Sequence, residues 1–266
     1  MYNCSVYSLG NGDALCFVWS EVEGKRGACE VATSIYQYLM SLPKSVTHVI
    51  LYSDTCSGQN RNKFMVSMFK YVVNTEQILT IEHKFMEEGH SHMEVDSMHA
   101  AIESRKRLAT VSVPRDYYML MRMARTKNPY TVVPIENDNI LDFKALEKEL
   151  LNNTRVDETG AKVSWLLVKA VCVRKGQDAV YIKYSLDEDY TAIPQVSTRK
   201  SASNKPVTLK QKYENPLPIP AAKKRDLVSM CKSGIIPKEC HQFYLDLSAI
   251  PEGQATQLPT DGNMSE

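Results

Sequence analysis

The spacing of apolar side chains changes several times along the chain, and each change marks an element. Cys4, Val6 and Tyr7 precede the turn residues Gly10, Asn11, Gly12 and Asp13, and Ala14 to Ser20 is extended again. That order predicts a β-hairpin over 4–20. From Gly27 to Leu42 the period lengthens, with Ala28, Val31, Ala32, Ile35, Tyr38 and Leu39 on one face and Pro43 as the stop. A helix follows from that pattern. Val46 to Tyr52 is almost continuously apolar, which predicts a strand buried on both faces. Phe64, Met65, Met68, Phe69 and Val72 restore a helical period over 60–73, Ile78 to Phe85 reads as a strand, and Ser97 to Arg107 as a helix with Asp96 as its N-cap.

Beyond residue 110 the pattern continues more loosely. Pro114 suits the first turn of a helix reaching to about Arg125. Tyr130 to Ile135 predicts a short strand and Asp142 to Leu151 an amphipathic helix. Trp165 to Val173 and Ala179 to Tyr184 form a second hairpin across Arg174, Lys175, Gly176, Gln177 and Asp178. The order hairpin, helix, strand, helix, strand, helix in the first 110 residues implies a mixed α/β sheet.

Composition narrows the partners more than the fold. The chain has 266 residues, 43% of them hydrophobic, enough for one substantial core. A formal net charge of +1 gives no global argument for nucleic acid, so any such argument must be local. Seven scattered cysteines build no disulfide framework, and the polar opening from Met1 lacks a secretory apolar core. The apolar stretch Trp165 to Val173 is short and contains Lys169, so no membrane span is expected. A reducing, intracellular setting is the expectation.

Two polar clusters interrupt the core pattern. The first runs from Leu51 to Asn62 (LYSDTCSGQNRN) and the second from His83 to His99, which holds four of the six histidines. Both follow strand-like runs and lead into helices, where open α/β sheets place their chemistry. Asp54, just beyond a strand, is suited to ligating Mg²⁺ through oxygen. Asn60, Arg61 and Asn62 could touch phosphate or orient water. In the second cluster Asp96 could add a second oxygen ligand, with His90, His92 and His99 placing water and Glu103 as a further acid. A zinc site from His90, His92, Asp96 and His99 is the alternative, though the spacing matches no zinc template. The structural alternative is a turn at 54–58, capping residues at 57 or 60, and solvated histidines.

The same two strings carry a resemblance. LYSDTCSGQNRN followed by HKFMEEGHSHMEVDSMHAAIE resembles a large family of uncharacterised animal proteins derived from DNA transposons. Val18 to Glu21, Gly27 to Glu30, Lys224 to Ser229 and Ile236 to Tyr244 also match it. The resemblance implies a ribonuclease H-like domain of the transposase and integrase kind, in which two Mg²⁺ ions held by acidic residues cut and join DNA. Asp54 would be the acid after the central strand and Asp96, or Glu103, the acid of the later helix. The family's first acid lies on a strand upstream of the segment matching Tyr2, so the expectation is a sheet lacking its first strand and an incomplete metal site. Catalysis or catalytically dead binding of nucleic acid, or of protein, are the two functional expectations. DNA is the implied partner and the nucleus the implied compartment.

The expected organisation is a ribonuclease H-like domain over 1–196, with a core over 1–110 and an extension over 111–196. A basic, proline-containing linker follows over 197–225, then a short helix and frayed tail over 226–266. Between Ser197 and Arg225 eight basic residues face Glu214 alone. Lys223, Lys224 and Arg225 are the candidate phosphate contacts. If they bind DNA, log K should fall with log salt at about −0.9 per phosphate neutralised.

Overall fold

The first hairpin forms as its alternation requires. β1 (Tyr2–Tyr7) and β2 (Ala14–Trp19) pair antiparallel, from Tyr2 opposite Trp19 to Tyr7 opposite Ala14. The computed structural model describes residues 1–87, 89, 92–195 and 207–251. Along the chain follow α1 (Ala28–Ser41), β3 (His48–Ser53), α2 (Lys63–Thr75), β4 (Thr80–Phe85), α3 (Glu94–Lys106), α4 (Pro114–Met123) and β5 (Thr131–Pro134). Then come α5 (Phe143–Leu150), β6 (Ala170–Arg174), β7 (Val180–Lys183), β8 (Thr191–Ile193), β9 (Ile219–Pro220), α6 (Ala221–Lys232), α7 (His241–Asp246) and β10 (Ala249–Ile250). The protein is a mixed α/β fold. Its elements divide into two compact units, so the expected run 1–196 is shared between them.

The first unit comprises Met1–Lys25, His92–Ile140 and the described chain from Tyr213. Its sheet has the order β1-β2-β5, with β5 parallel to β2. Ala14, Cys16 and Val18 from β2 pack with Met98 and Ile102 of α3, Leu120 and Met121 of α4, and Tyr130 and Val132. Burial pushes the Cys16 thiol up to about 11, so it behaves as a small hydrophobe. β9 and β10 form a two-residue parallel pair beside α6.

The second unit comprises Arg26–Ser91 and Leu141–Lys212. Its five-stranded sheet has the order β3-β4-β6-β7-β8. β3 and β4 are parallel and joined through α2, as parallel neighbours require a crossover, and the remaining pairs are antiparallel. α2 lies against β4 and β6, and α1 and α5 pack on α2. Phe69 of α2 meets His83 of β4 edge-on at 5.6 Å, which fixes the covered face. The opposite face carries Tyr52, Glu82, Lys84, Tyr181 and Lys183, all exposed or half-buried.

Several expectations change here. β3 is an edge strand rather than one buried on both faces: Ile50 is 54% and Tyr52 48% exposed. A continuous apolar run does not distinguish these cases, because apolar side chains are also common on surfaces. The second hairpin begins later than predicted, since Trp165–Leu167 form a 3₁₀ turn before β6. In the expected linker, residues 197–206 lie outside the described residues. From 207 onward, Gln211 bridges Leu141, β9 forms, and α6 starts at Ala221 rather than 226. No helix among the described residues is long and apolar enough to cross a membrane.

Candidate functional site

The connection from β3 to α2 is built from short polar side chains that bond back to their own backbone. Asp54 follows the last residue of β3 and is exposed. Its Oδ1 accepts from the Asn60 amide at 2.6 Å and from the Cys56 N–H at 3.1 Å. The Cys56 carbonyl in turn accepts from the N–H groups of Gln59, Asn60 and Arg61. Asn62, 2% exposed, is the N-cap of α2: its Oδ1 accepts from Phe64 and Met65, and its Nδ2 donates to the Ser57 carbonyl. Arg61 is buried and Cys56 exposed.

Beneath this connection sits His83, a histidine of the second cluster that lies inside a strand. It is buried between Phe69 and Phe85, with ring centroids 5.6 and 4.4 Å away. Its Nε2 lies 2.8 Å from Ser53 Oγ, whose own proton goes to the Asp54 carbonyl. Nε2 is therefore the protonated nitrogen, and Nδ1, without a partner among the described residues, keeps its lone pair. Burial drives the His83 pKa down to about 3, so the ring stays neutral. Its role is to anchor Ser53, and through it the backbone at Asp54. The alternation of Thr80 to Phe85, with His83 at an inward position, was the available signal for it.

In the first unit, the second cluster starts α3. Asp96 is the third residue of that helix, not its N-cap; Met93 takes that position. The Asp96 carboxylate accepts from the Met93 N–H at 2.7 Å, the arrangement that satisfies an orphan donor at a helix start. His92, His99 and Glu103 are exposed, and Glu103 pairs loosely with Lys106 at 3.4 Å. His90 lies outside the described residues. Among the described residues no three histidine, cysteine, aspartate or glutamate side chains gather as a metal would need.

The basic residues are also engaged. Lys212 makes a 2.8 Å ion pair with Glu30, which is 1% exposed. Lys223 pairs with Glu21 at the surface, and Lys224 donates to the carbonyls of Leu245 and Leu247 from α6. These are contacts within the fold. In the second unit, Lys84 and Lys183, both half-buried, stand on β4 and β7 beside aromatic rings. They were not among the expected site residues, because their positions become neighbours only through strand pairing.

Residues 14–160 match the model of a domain of unknown function, DUF7869. The chain belongs to that family. No curated protein matches this chain, and no solved structure does. The matched region of this DUF7869 member takes in both polar clusters.

Proposed function

We propose that this DUF7869 protein is a transposase-derived, ribonuclease H-like domain that binds DNA, its ancestral chemistry being Mg²⁺-dependent phosphodiester hydrolysis and strand transfer. The observation that carries the reading is the position of Asp54. It stands exposed just past the C-terminal end of β3, in a parallel strand–helix–strand unit, where open α/β sheets present their functional groups. The resemblance of the two polar strings to transposon-derived proteins points the same way. With a DNA partner, the compartment would be the nucleus.

A second reading, binding without cleavage of nucleic acid or of a protein partner, has its own support. No group of three histidine, cysteine, aspartate or glutamate side chains forms among the described residues, and Asp54 Oδ1 and Asp96 Oδ2 accept hydrogen bonds from neighbouring groups of the fold. We therefore expect the purified protein to retard duplex DNA in a gel-shift assay and to leave supercoiled plasmid intact with Mg²⁺. Nicking that disappears in Asp54→Ala would restore the metal-centre reading. Absence of any DNA retardation at low salt would remove the DNA-binding proposal altogether.

A further inference from the structure

The face of the five-stranded sheet opposite α2 interleaves rings and cations. One row across the strands runs Tyr52, Lys84, Ala170 and Lys183; the next runs Ile50, Glu82, Cys172, Tyr181 and Ala192. The small residues at the centre, Ala170 and Cys172, leave room for Tyr190, which reaches from the β8 side to hydrogen-bond Glu82 on β4. Around its ring stand Lys183 at 4.6 Å, Arg174 at 5.8 Å and Tyr181 at 6.5 Å. Arg174 also stacks on Tyr181 at 4.6 Å, and Lys84 lies over Tyr52 at 5.9 Å.

Charge and shape point to one class of occupant. Three cations, Lys84, Arg174 and Lys183, face a single carboxylate on the strands, Glu82, which is held by Tyr190 and by Lys84 at 3.6 Å. The turn after β7 carries Asp187, Glu188 and Asp189, so a polyanion would be kept toward β3, β4 and β6 and away from that end. Tyr52, at the open edge strand, is the most exposed of the three rings. Flat rings flanked by cations on a sheet suit bases stacked on the rings with phosphates on the lysines and arginine. A duplex hides its bases and can use only the charges.

We propose that this face binds single-stranded nucleic acid, with Tyr52, Tyr181 and Tyr190 as the stacking platform and Lys84, Arg174 and Lys183 as the phosphate contacts. It uses none of the side chains of the Asp54 connection and does not depend on the ribonuclease H-like reading.

The test is fluorescence anisotropy of the full chain with labelled oligothymidine of about a dozen nucleotides, a length that spans one such platform. The single strand should bind more tightly than a duplex of the same length. Tyr52→Ala should weaken it about fivefold to a hundredfold while Tyr52→Phe, which keeps the ring, retains binding. Replacing Lys84 and Lys183 together by glutamine should flatten the slope of log K against log salt by up to about 1.4, at roughly 0.7 per phosphate. Matched thermal melting of each variant reports folding separately, and Tyr52 is exposed enough to be replaced without loss of the fold. Single-strand binding indifferent to Tyr52→Ala, or a duplex preferred over the single strand, would overturn the proposal. So would displacement of the oligonucleotide by polyglutamate at equal charge, which would mark an acidic protein as the partner. Ring-dependent single-strand binding with no gel shift of duplex DNA would uphold this face and remove only the duplex-binding reading.

Discussion

His83 and Lys84 are neighbours on β4 and face opposite sides of the same sheet. On the covered side His83 is enclosed by Phe69 and Phe85 and hydrogen-bonds Ser53, and its ring is held neutral. On the opposite side Lys84 lies over the ring of Tyr52 and contacts Glu82 only at 3.6 Å. The covered layer also contains the buried Glu30–Lys212 pair and the Asn62 cap. Under the helices, polar groups serve the fold because desolvation makes every unmatched one costly. On the opposite face Lys84 and Glu82 pair with each other and keep part of their surface in solvent. A dense polar string in the sequence therefore marks structure as readily as a ligand site, while rings and cations spread over four strands come together only on the sheet face.

That contrast can be broken or sharpened by substitution. The largest effect is expected at the ion pair on the covered side. Lys212→Met leaves the Glu30 carboxylate buried without its 2.8 Å partner and should lower stability by about 3–5 kcal/mol, read from urea unfolding. A loss under about 1 kcal/mol would mean the pair is effectively solvated.

His83 gives the next effect, through pH. Its folded pKa of about 3 lies below the unfolded value of 6.5, so the unfolded chain takes up the proton first on acidification. The stability held by the neutral ring is complete above about 6.5 and is lost as pH falls toward 3, at up to about 1.4 kcal/mol per pH unit. Melting temperatures measured between about pH 7 and pH 5 should fall more steeply for the native chain than for His83→Leu. Parallel curves would show that His83 is not the group responsible.

Asn62→Ala should cost about 1–2 kcal/mol, because the N–H groups of Phe64 and Met65 lose their acceptor. Oligothymidine binding should not change. If it weakened, the connection and the face opposite α2 would not be separable. On that face, Tyr52→Ala should change stability by less than about 0.5 kcal/mol, since the ring is half exposed on an edge strand. A drop of several kcal/mol in chemical denaturation would show that this side is built like the covered one.

The sequence by itself determined the elements of the core: the hairpin, α1, α2 and β4 lie where alternation, helical spacing and stop residues put them. These signals are local, because a strand or helix states its period within its own residues. It also marked Asp54 at a strand end and a helix starting near Asp142. Tertiary structure decided what each side chain faces. The run Val46 to Tyr52 does not say whether a second layer will cover it, and Asp96 reads equally as a ligand or a helix-start acceptor until Met93 is placed beside it. Lys212, which composition groups with a linker, meets Glu30 only once the chain has returned across 182 residues. Strand order assembled Tyr52, Lys84, Arg174, Lys183 and Tyr190, residues from β3, β4, β6, β7 and the turn before β8. Long-range pairing creates that surface, and no local periodicity encodes which strands will be neighbours.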